Sequence, residues 1–403
     1  MVLTLYGALF VVFGFLMDTP EGILRGLQQI ILEPDFLITD YIGVGGLGAA
    51  FVNAGILTLL AIFILYKMEI KVTGATISTV WLMTGFGLFG KNIFNVWFIM
   101  AGVWIYTRYQ RDKFIKYVYI GLFGTSLAPL VTQMMFITNM SRWISIPLGM
   151  AMGVMIGFVL PPLSSYLMRV HQGFNLYNIG FTAGIIGTIC VSVLRSYGLN
   201  MESRMIWTTG NNGILSIFLV TLFILLIGIG FYLNGSSVKG YKSFYKYSGR
   251  LITDFVILEG FAPSLLNMGI NGLFATAYIL MIRGDLNGPT IGGIFTIVGF
   301  SAFGKHLGNM SPIFLGVFLG SLTKVWSIND PNIVLAALFG TTLAPIAGEF
   351  GWKYGILAGF LHSSVVLNVG FLHGGINLYN NGFSGGIVAA TLIPIIEAFK
   401  KEG

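Results

Sequence analysis

Apolar residues run along this chain in stretches of about 20, close to the length at which a helix crosses a bilayer, and polar residues collect in the short gaps between them. The pattern predicts seven spans in the first half, at roughly 2–17, 41–66, 73–90, 92–107, 117–137, 146–168 and 174–195. It predicts seven more in the second, at roughly 214–233, 255–282, 288–304, 308–324, 331–348, 352–371 and 376–398. The third span of each half breaks the pattern. Val72-Thr73-Gly74-Ala75-Thr76 and Leu286-Asn287-Gly288-Pro289-Thr290 open short spans, and each closes in a Phe-Gly-Lys turn. The last span of each half opens with Gly-x-Asn-Leu-Tyr-Asn-x-Gly-Phe. Gly and Pro at such places free backbone groups, which is tolerable at membrane depth only against protein or a water-filled cavity.

These matching irregularities come from a duplication. Residues 37–103 align without a gap onto 251–317, with 22 of 67 positions identical. Leu37-Ile38-Thr39-Asp40 recurs as Leu251-Ile252-Thr253-Asp254, Asn53 as Asn267, and Phe89-Gly90-Lys91 as Phe303-Gly304-Lys305. Further on, Leu122-Phe123-Gly124-Thr125 returns as Leu338-Phe339-Gly340-Thr341, and Asn175-Leu176-Tyr177-Asn178 as Asn377-Leu378-Tyr379-Asn380. The two units are taken as 1–200 and 201–403. A duplication of half an apolar chain points to a transporter or channel built around a pseudo-two-fold axis.

Composition excludes a water-soluble globule: 55% of residues are hydrophobic and 9% charged, against about 25% charged in soluble domains. Mean hydropathy is +0.84. The net charge of +7 sits in short loops, so it reads as a topology signal and not as nucleic-acid binding. Arg108, Arg111, Lys113 and Lys116 follow span four, Lys239 to Arg250 follow span eight, and Lys400 and Lys401 follow span fourteen. All three groups share one side if both termini are cytoplasmic, which places the protein in a cell (inner or plasma) membrane. The loop 18–36, with Asp18, Glu21, Glu33 and Asp35, then falls outside. An odd span count inverts the second repeat. Cys190 is the only cysteine, which leaves no disulfide framework. Val2 to Leu16 lacks a basic n-region and reads as a retained helix.

Asn175, Tyr177, Asn178 and Phe181, with Asn377, Tyr379, Asn380 and Phe383, pair amide and phenol hydrogen bonding with aromatic faces, as a pore for a small polar solute requires. The alternative is helix capping and interhelical hydrogen bonding. Thr125 and Thr341 either line the same pathway or back-bond to their own helices at a kink. Thr76 and Thr290 open the short spans. Lys91 and Lys305 are pathway candidates, as anion attractors, if they face inward, but the preferred reading is snorkelling from a span end. His171, His306 and His373 read as structural, and Asp40 and Asp254 as helix N-caps. Glu259, inside span nine, is a weak coupling candidate. No nucleophile elbow, phosphate loop or metal-ligand spacing is present, so neither an enzyme nor a metal site is expected.

Thr73-Gly74-Ala75-Thr76 resembles the sequence at which flavin mononucleotide is esterified to the last threonine in membrane subunits of sodium-pumping redox complexes; cofactor-free protein is expected, with covalent FMN at Thr76 the exception. The block order resembles the urea transporter architecture. Asn287-Gly288-Pro289-Thr290 is similar to its Asn-Pro-x-Ser/Thr-Gly element, Leu338 to Ala344 to its Tyr/Phe-Asn-containing helix, and Gly375 to Phe383 holds the place of its tilted half-helix. Seven-plus-seven inverted repeats with broken third and tenth spans also resemble the nucleobase, ascorbate and sulfate-type transporters. As a whole the chain resembles an uncharacterised family of duplicated bacterial multi-pass membrane proteins.

The expectation is therefore an all-α polytopic helical membrane protein of two inverted repeats with discontinuous half-helices. Its expected function is a channel or facilitator for a small polar solute, with the pathway along the pseudo-two-fold axis and walls from spans five and seven of each half. The alternatives are an ion-coupled transporter that binds an organic solute or anion between the broken helices, and a flavin-bearing electron-transfer subunit. The expected partners are the solute, the lipid bilayer and further copies of the chain, as a dimer or trimer.

Overall fold

The computed structural model describes residues 2–136, 140–199 and 204–399, so Lys400 and Lys401 lie outside the described residues. The first half contains α1 (Val2–Met17), α2 (Pro20–Leu32), α3 (Tyr41–Lys67), α4 (Gly74–Phe86), α5 (Val96–Tyr109), α6 (Val118–Gly124), α7 (Ala128–Phe136), α8 (Arg142–Val170) and α9 (Asn178–Ser196). The second contains α10 (Asn212–Leu233), α11 (Phe255–Leu258), α12 (Phe261–Met281), α13 (Gly288–Phe300), α14 (Leu307–Thr323), α15 (Pro331–Gly340), α16 (Ala344–Phe350), α17 (Trp352–Val369) and α18 (Asn380–Phe399). A two-residue parallel pairing of β1 (Ile38–Thr39) with β2 (Met205–Ile206) is the one sheet among the described residues. The protein is an all-α polytopic membrane protein.

The predicted spans coincide with helices, but not all are long enough to cross alone. Eight segments have the length and hydropathy to cross a membrane, or nine if α1 and α2 are one bent span. With 13 residues each, α4 and α13 reach about 20 Å, short of the roughly 30 Å hydrocarbon core. Each stops in a buried turn. Asn53 Nδ2 donates to the carbonyls of both Gly87 (2.6 Å) and Lys91 (2.9 Å). Its duplicate Asn267 does the same for Ser301 and Lys305, both at 2.7 Å. One amide therefore satisfies the two backbone oxygens that an interrupted helix would leave bare in lipid.

Two sequence expectations need correction. The segment 18–36 is not a loop: after α1 the chain bends by 113° into α2. Thr19 caps it by accepting from Gly22 N at 3.1 Å, and Pro20 stands in the first turn. Ile23, Gly26 and Ile30 face α3, while Leu24 and Leu32 stay exposed, so charge counting alone misread an amphipathic helix. Span nine is also interrupted. It divides at Gly260 (φ +98) where α3 kinks at the equivalent Gly46 (φ +86). Glu259 thus sits at the break, paired with Lys246 at 2.8 Å and accepting from Tyr247 Oη at 2.7 Å, and not inside a span.

The repeats pack alike. Helix α1 lies on α3 as α10 lies on α12, and α5 on α8 as α14 on α17. In the last two pairs Gly102 meets Gly157 and Gly316 meets Gly359, letting the backbones approach closely.

Candidate functional site

The centre of the molecule is the contact between α4 and α13. Gly74 lies against Ala302, Ser78 against Gly299, Trp81 against Phe295, Gly85 against Gly292, and Leu88 against Gly288. As one index rises the other falls, so equivalent helices run antiparallel, and the axis passes between the equivalent Trp81 and Phe295. A two-fold relating antiparallel helices is perpendicular to them, which is the arrangement of inverted-topology repeats, whose axis lies in the membrane plane. A route across the bilayer must cross this axis, so the expected pathway along it is corrected.

Each short helix is capped by the other repeat. Asp40 Oδ1 accepts from Gly288 N (3.0 Å) as well as from Ile42 N (3.0 Å) of its own helix. Asp254 accepts from Gly74 N (2.9 Å) and Ala75 N (3.3 Å) as well as Ile257 N (3.1 Å). The N-cap role expected of both aspartates holds, and the cross-repeat bonds are additional. Thr76 and Thr290 complete capping boxes with Thr73 and Asn287. The Thr76 hydroxyl also bonds Lys71 O at 2.9 Å and Tyr119 Oη at 2.7 Å. Both threonines face their own helix starts, which explains their recurrence structurally.

The two Asn-Leu-Tyr-Asn segments meet at the same axis, opening α9 and α18. Asn175 Nδ2 donates to Gly382 O (2.9 Å), and Asn377 Nδ2 to Gly180 O (3.1 Å). Asn178 accepts from His171 Nε2 and donates to Ser164 O; Asn380 accepts from His373 Nε2 and donates to Val366 O. All four amides are thus engaged in ties between segments, and His171 and His373 hold Asn178 and Asn380. His306 lies apart, its Nε2 3.1 Å from Tyr247 O. Thr125 and Thr341 donate to Leu122 O (2.7 Å) and Leu338 O (2.6 Å) at 3₁₀ turns that break the fifth spans.

Aromatic rings fill the space between these elements. Tyr177 and Tyr379 stand 5.2 Å apart, Phe86 stacks on Phe339 and meets Tyr379 at 4.6 Å, and Phe300 meets Tyr177 at 5.0 Å. Phe181 and Phe383 face each other at 6.3 Å beyond them. On one flank of this barrier a cavity of about 140 Å³ is lined by Phe123, Leu176, Asn178, Leu251, Ile252 and Phe303 among others. On the other, a cavity of about 20 Å³ is lined by their equivalents Phe339, Leu378, Asn380, Leu37, Ile38 and Phe89. The latter shares Leu37, Asn332, Val366, Leu367 and Asn380 with an outer recess of about 590 Å³. The two-fold that relates the repeats also relates these two cavities to each other.

Lys91 and Lys305 are fully buried, which overturns snorkelling. Lys305 Nζ donates to Tyr177 Oη and to Thr341 Oγ1 (2.7 Å), and lies 4.6 Å from the Tyr177 ring. Lys91 Nζ donates to Leu122 O (3.2 Å) and lies 5.0 Å from the Phe86 ring. The bond that would match Lys305–Tyr177 is not made, and Tyr379 Oη is buried without a hydrogen-bond partner. The Asn-Leu-Tyr-Asn segments, Thr125, Thr341 and the two lysines therefore come together around one barrier. Thr76 and Thr290 sit in the capping boxes that start the short helices, and Thr76 meets the barrier's flank through Tyr119, which lines the cavity of about 140 Å³.

Asp35 carries a signal that the sequence reading absorbed into a loop. It is fully buried and accepts from Tyr41 Oη (2.7 Å), Thr132 Oγ1 (3.0 Å) and Asn95 Nδ2 (3.1 Å). Burial pushes its carboxyl up to about 8 despite these three bonds. Its equivalent in the second repeat is Gly249. Among the described residues no group of three or more His, Cys, Asp or Glu is placed to hold a metal ion.

This helical, apolar, multi-span architecture fits a membrane transporter or channel. Neither a curated protein nor a solved structure matches the chain, so no such match stands behind the urea-transporter resemblance. A family model does match, over residues 19–196 and 233–398, one stretch in each repeat. The chain belongs to that family, described as Protein of unknown function (DUF1576).

Proposed function

We propose that this protein moves a small polar solute across the membrane through the two equivalent cavities, with the aromatic barrier between them as a gate. The observation that carries this reading is the pair of symmetry-related cavities on opposite flanks of one closed layer of rings. Phe86, Phe300, Tyr177 and Tyr379 are each at most 3% exposed, so a solute passes only when the rings move. Inverted repeats provide a way to move them, because exchanging the conformations of the two halves opens the opposite flank. A facilitator that alternates between flanks fits this geometry better than a continuously open pore. The cavity of about 140 Å³ lies below the ~300 Å³ at which sites for drug-sized ligands begin, which favours a solute of few atoms.

Counterflow in proteoliposomes tests the reading. Preloaded unlabelled solute should accelerate uptake of the labelled solute without any ion gradient. Uptake no faster than in protein-free vesicles, across a panel of neutral and charged small solutes, would refute it. A proton-coupled version of the same pathway is favoured by Asp35, a fully buried carboxylate in the link between α2 and α3 with no cationic partner among the described residues. It predicts accumulation driven by an imposed pH gradient and lost in Asp35→Asn.

A further inference from the structure

We infer that the solute is a small anion whose countercharge comes from Lys91 and Lys305; the inference rests on the transport reading above. Burying an ammonium in an apolar protein is costly, so such groups persist where they pair or act. Neither lysine has a carboxylate partner among the described residues. Asp40 and Asp254 carry the one matched pair of carboxylates near the axis, and both are held by backbone N–H groups of the helix starts. Of the residues lining the three cavities, Arg195 alone is charged, and it is a cation. Lys91 and Lys305 line none of these cavities themselves; Lys305 reaches the cavity of about 140 Å³ through Tyr177, which lines it and accepts from the Lys305 ammonium.

Hydrogen-bond donors support the same class. Tyr379 Oη and Ser126 Oγ are buried and unpartnered, whereas their equivalents Tyr177 Oη and Thr342 Oγ1 accept from Lys305 and donate to Asn175 Oδ1 (2.5 Å). One half thus holds its lysine and hydroxyls in a closed network; in the other the lysine bonds Leu122 O and the Met83 sulfur, and two hydroxyls have no partner. An ammonium flanked by hydroxyl donors suits a carboxylate or inorganic oxyanion, through charge-assisted bonds. A cation meets only repulsion there, and a neutral amide gains nothing from the charge. The cavity volume of about 140 Å³ equals that of about five water molecules, which fits formate or nitrate.

The test uses the full-length protein in two preparations. In proteoliposomes, formate and nitrate uptake is compared with urea and glycerol uptake for the wild type, Lys91→Met, Lys305→Met and the double variant. In detergent, the same anions are titrated while the thermal midpoint is followed, with Lys91→Arg as a folded variant that keeps the charge. The inference expects anion uptake above neutral-solute uptake, reduced by about tenfold or more in the double variant. It also expects an anion-induced rise in midpoint that Lys91→Arg retains and the double variant lacks. Urea or glycerol uptake that leads and is indifferent to both lysines would overturn the inference while leaving transport intact. Anion binding that needs the lysines, without flux of any solute, would keep the site and remove the transport reading. Neither flux nor binding would remove both.

Discussion

Asn53 and Asn267 each join one amide to two carbonyls, and this bond pattern is what lets a helix stop at membrane depth. Asn53→Ala should leave Gly87 O and Lys91 O bare, at about 1–3 kcal/mol for each unsatisfied group, read as a lower thermal midpoint in detergent. Asn267→Ala should cost the same if the repeats are equivalent there. Asp35 predicts a pH effect. Its neutral form is favoured in the folded state, so its contribution is complete below the unfolded value near 4 and is lost as pH rises towards about 8. Asp35→Asn should therefore gain stability relative to the wild type as pH increases through that window. A difference between the two that stays flat with pH would contradict the assignment. The recurrence of Asn53 was visible in the sequence, but its job was not, because its acceptors lie 34 and 38 residues away on another element. Lys91 and Lys305 were legible as candidates. Their burial was not, since a lysine beside a span boundary has the same local pattern whether it faces in or out.

Among the elements, the short helices were the most readable, because Gly-Ala-Thr and Gly-Pro-Thr mark their starts and Phe-Gly-Lys their ends. What could not be read was the exchange of caps between repeats: Asp40 and Gly288 are 248 residues apart, and no periodicity links them. That exchange explains why glycine opens both helices. A Cβ at Gly74 would come within 2.1 Å of Ala302 O, and one at Gly288 within 2.3 Å of Leu88 O. Gly74→Ala and Gly288→Ala should each destabilise the protein by about 1–3 kcal/mol. Gly228→Ala, on α10 with nothing within 4 Å, should instead be neutral or stabilising by up to about 1 kcal/mol. Thermal midpoints of the three variants check both statements. Helix α2 was missed for a different reason: its Thr-Pro start and its apolar stripe are ordinary helix signals, but acidic residues drew the reading towards a loop.

For the whole molecule, duplication and charge placement were enough to reach two inverted repeats, and the antiparallel α4–α13 contact carries the same inversion in its geometry. The direction of the pathway was misjudged, because an axis that relates inverted halves lies in the membrane and cannot also run through it. The account now depends on the two cavities facing opposite sides. Leu37 and Leu251 are equivalent, half-buried and lie one in each cavity system. Cys190, the only native cysteine, can be removed as Cys190→Ala to give a clean background. In that background, Leu37→Cys and Leu251→Cys should each react with a membrane-impermeant thiol reagent from one side only, and from opposite sides. Reaction of both from the same side would contradict the account.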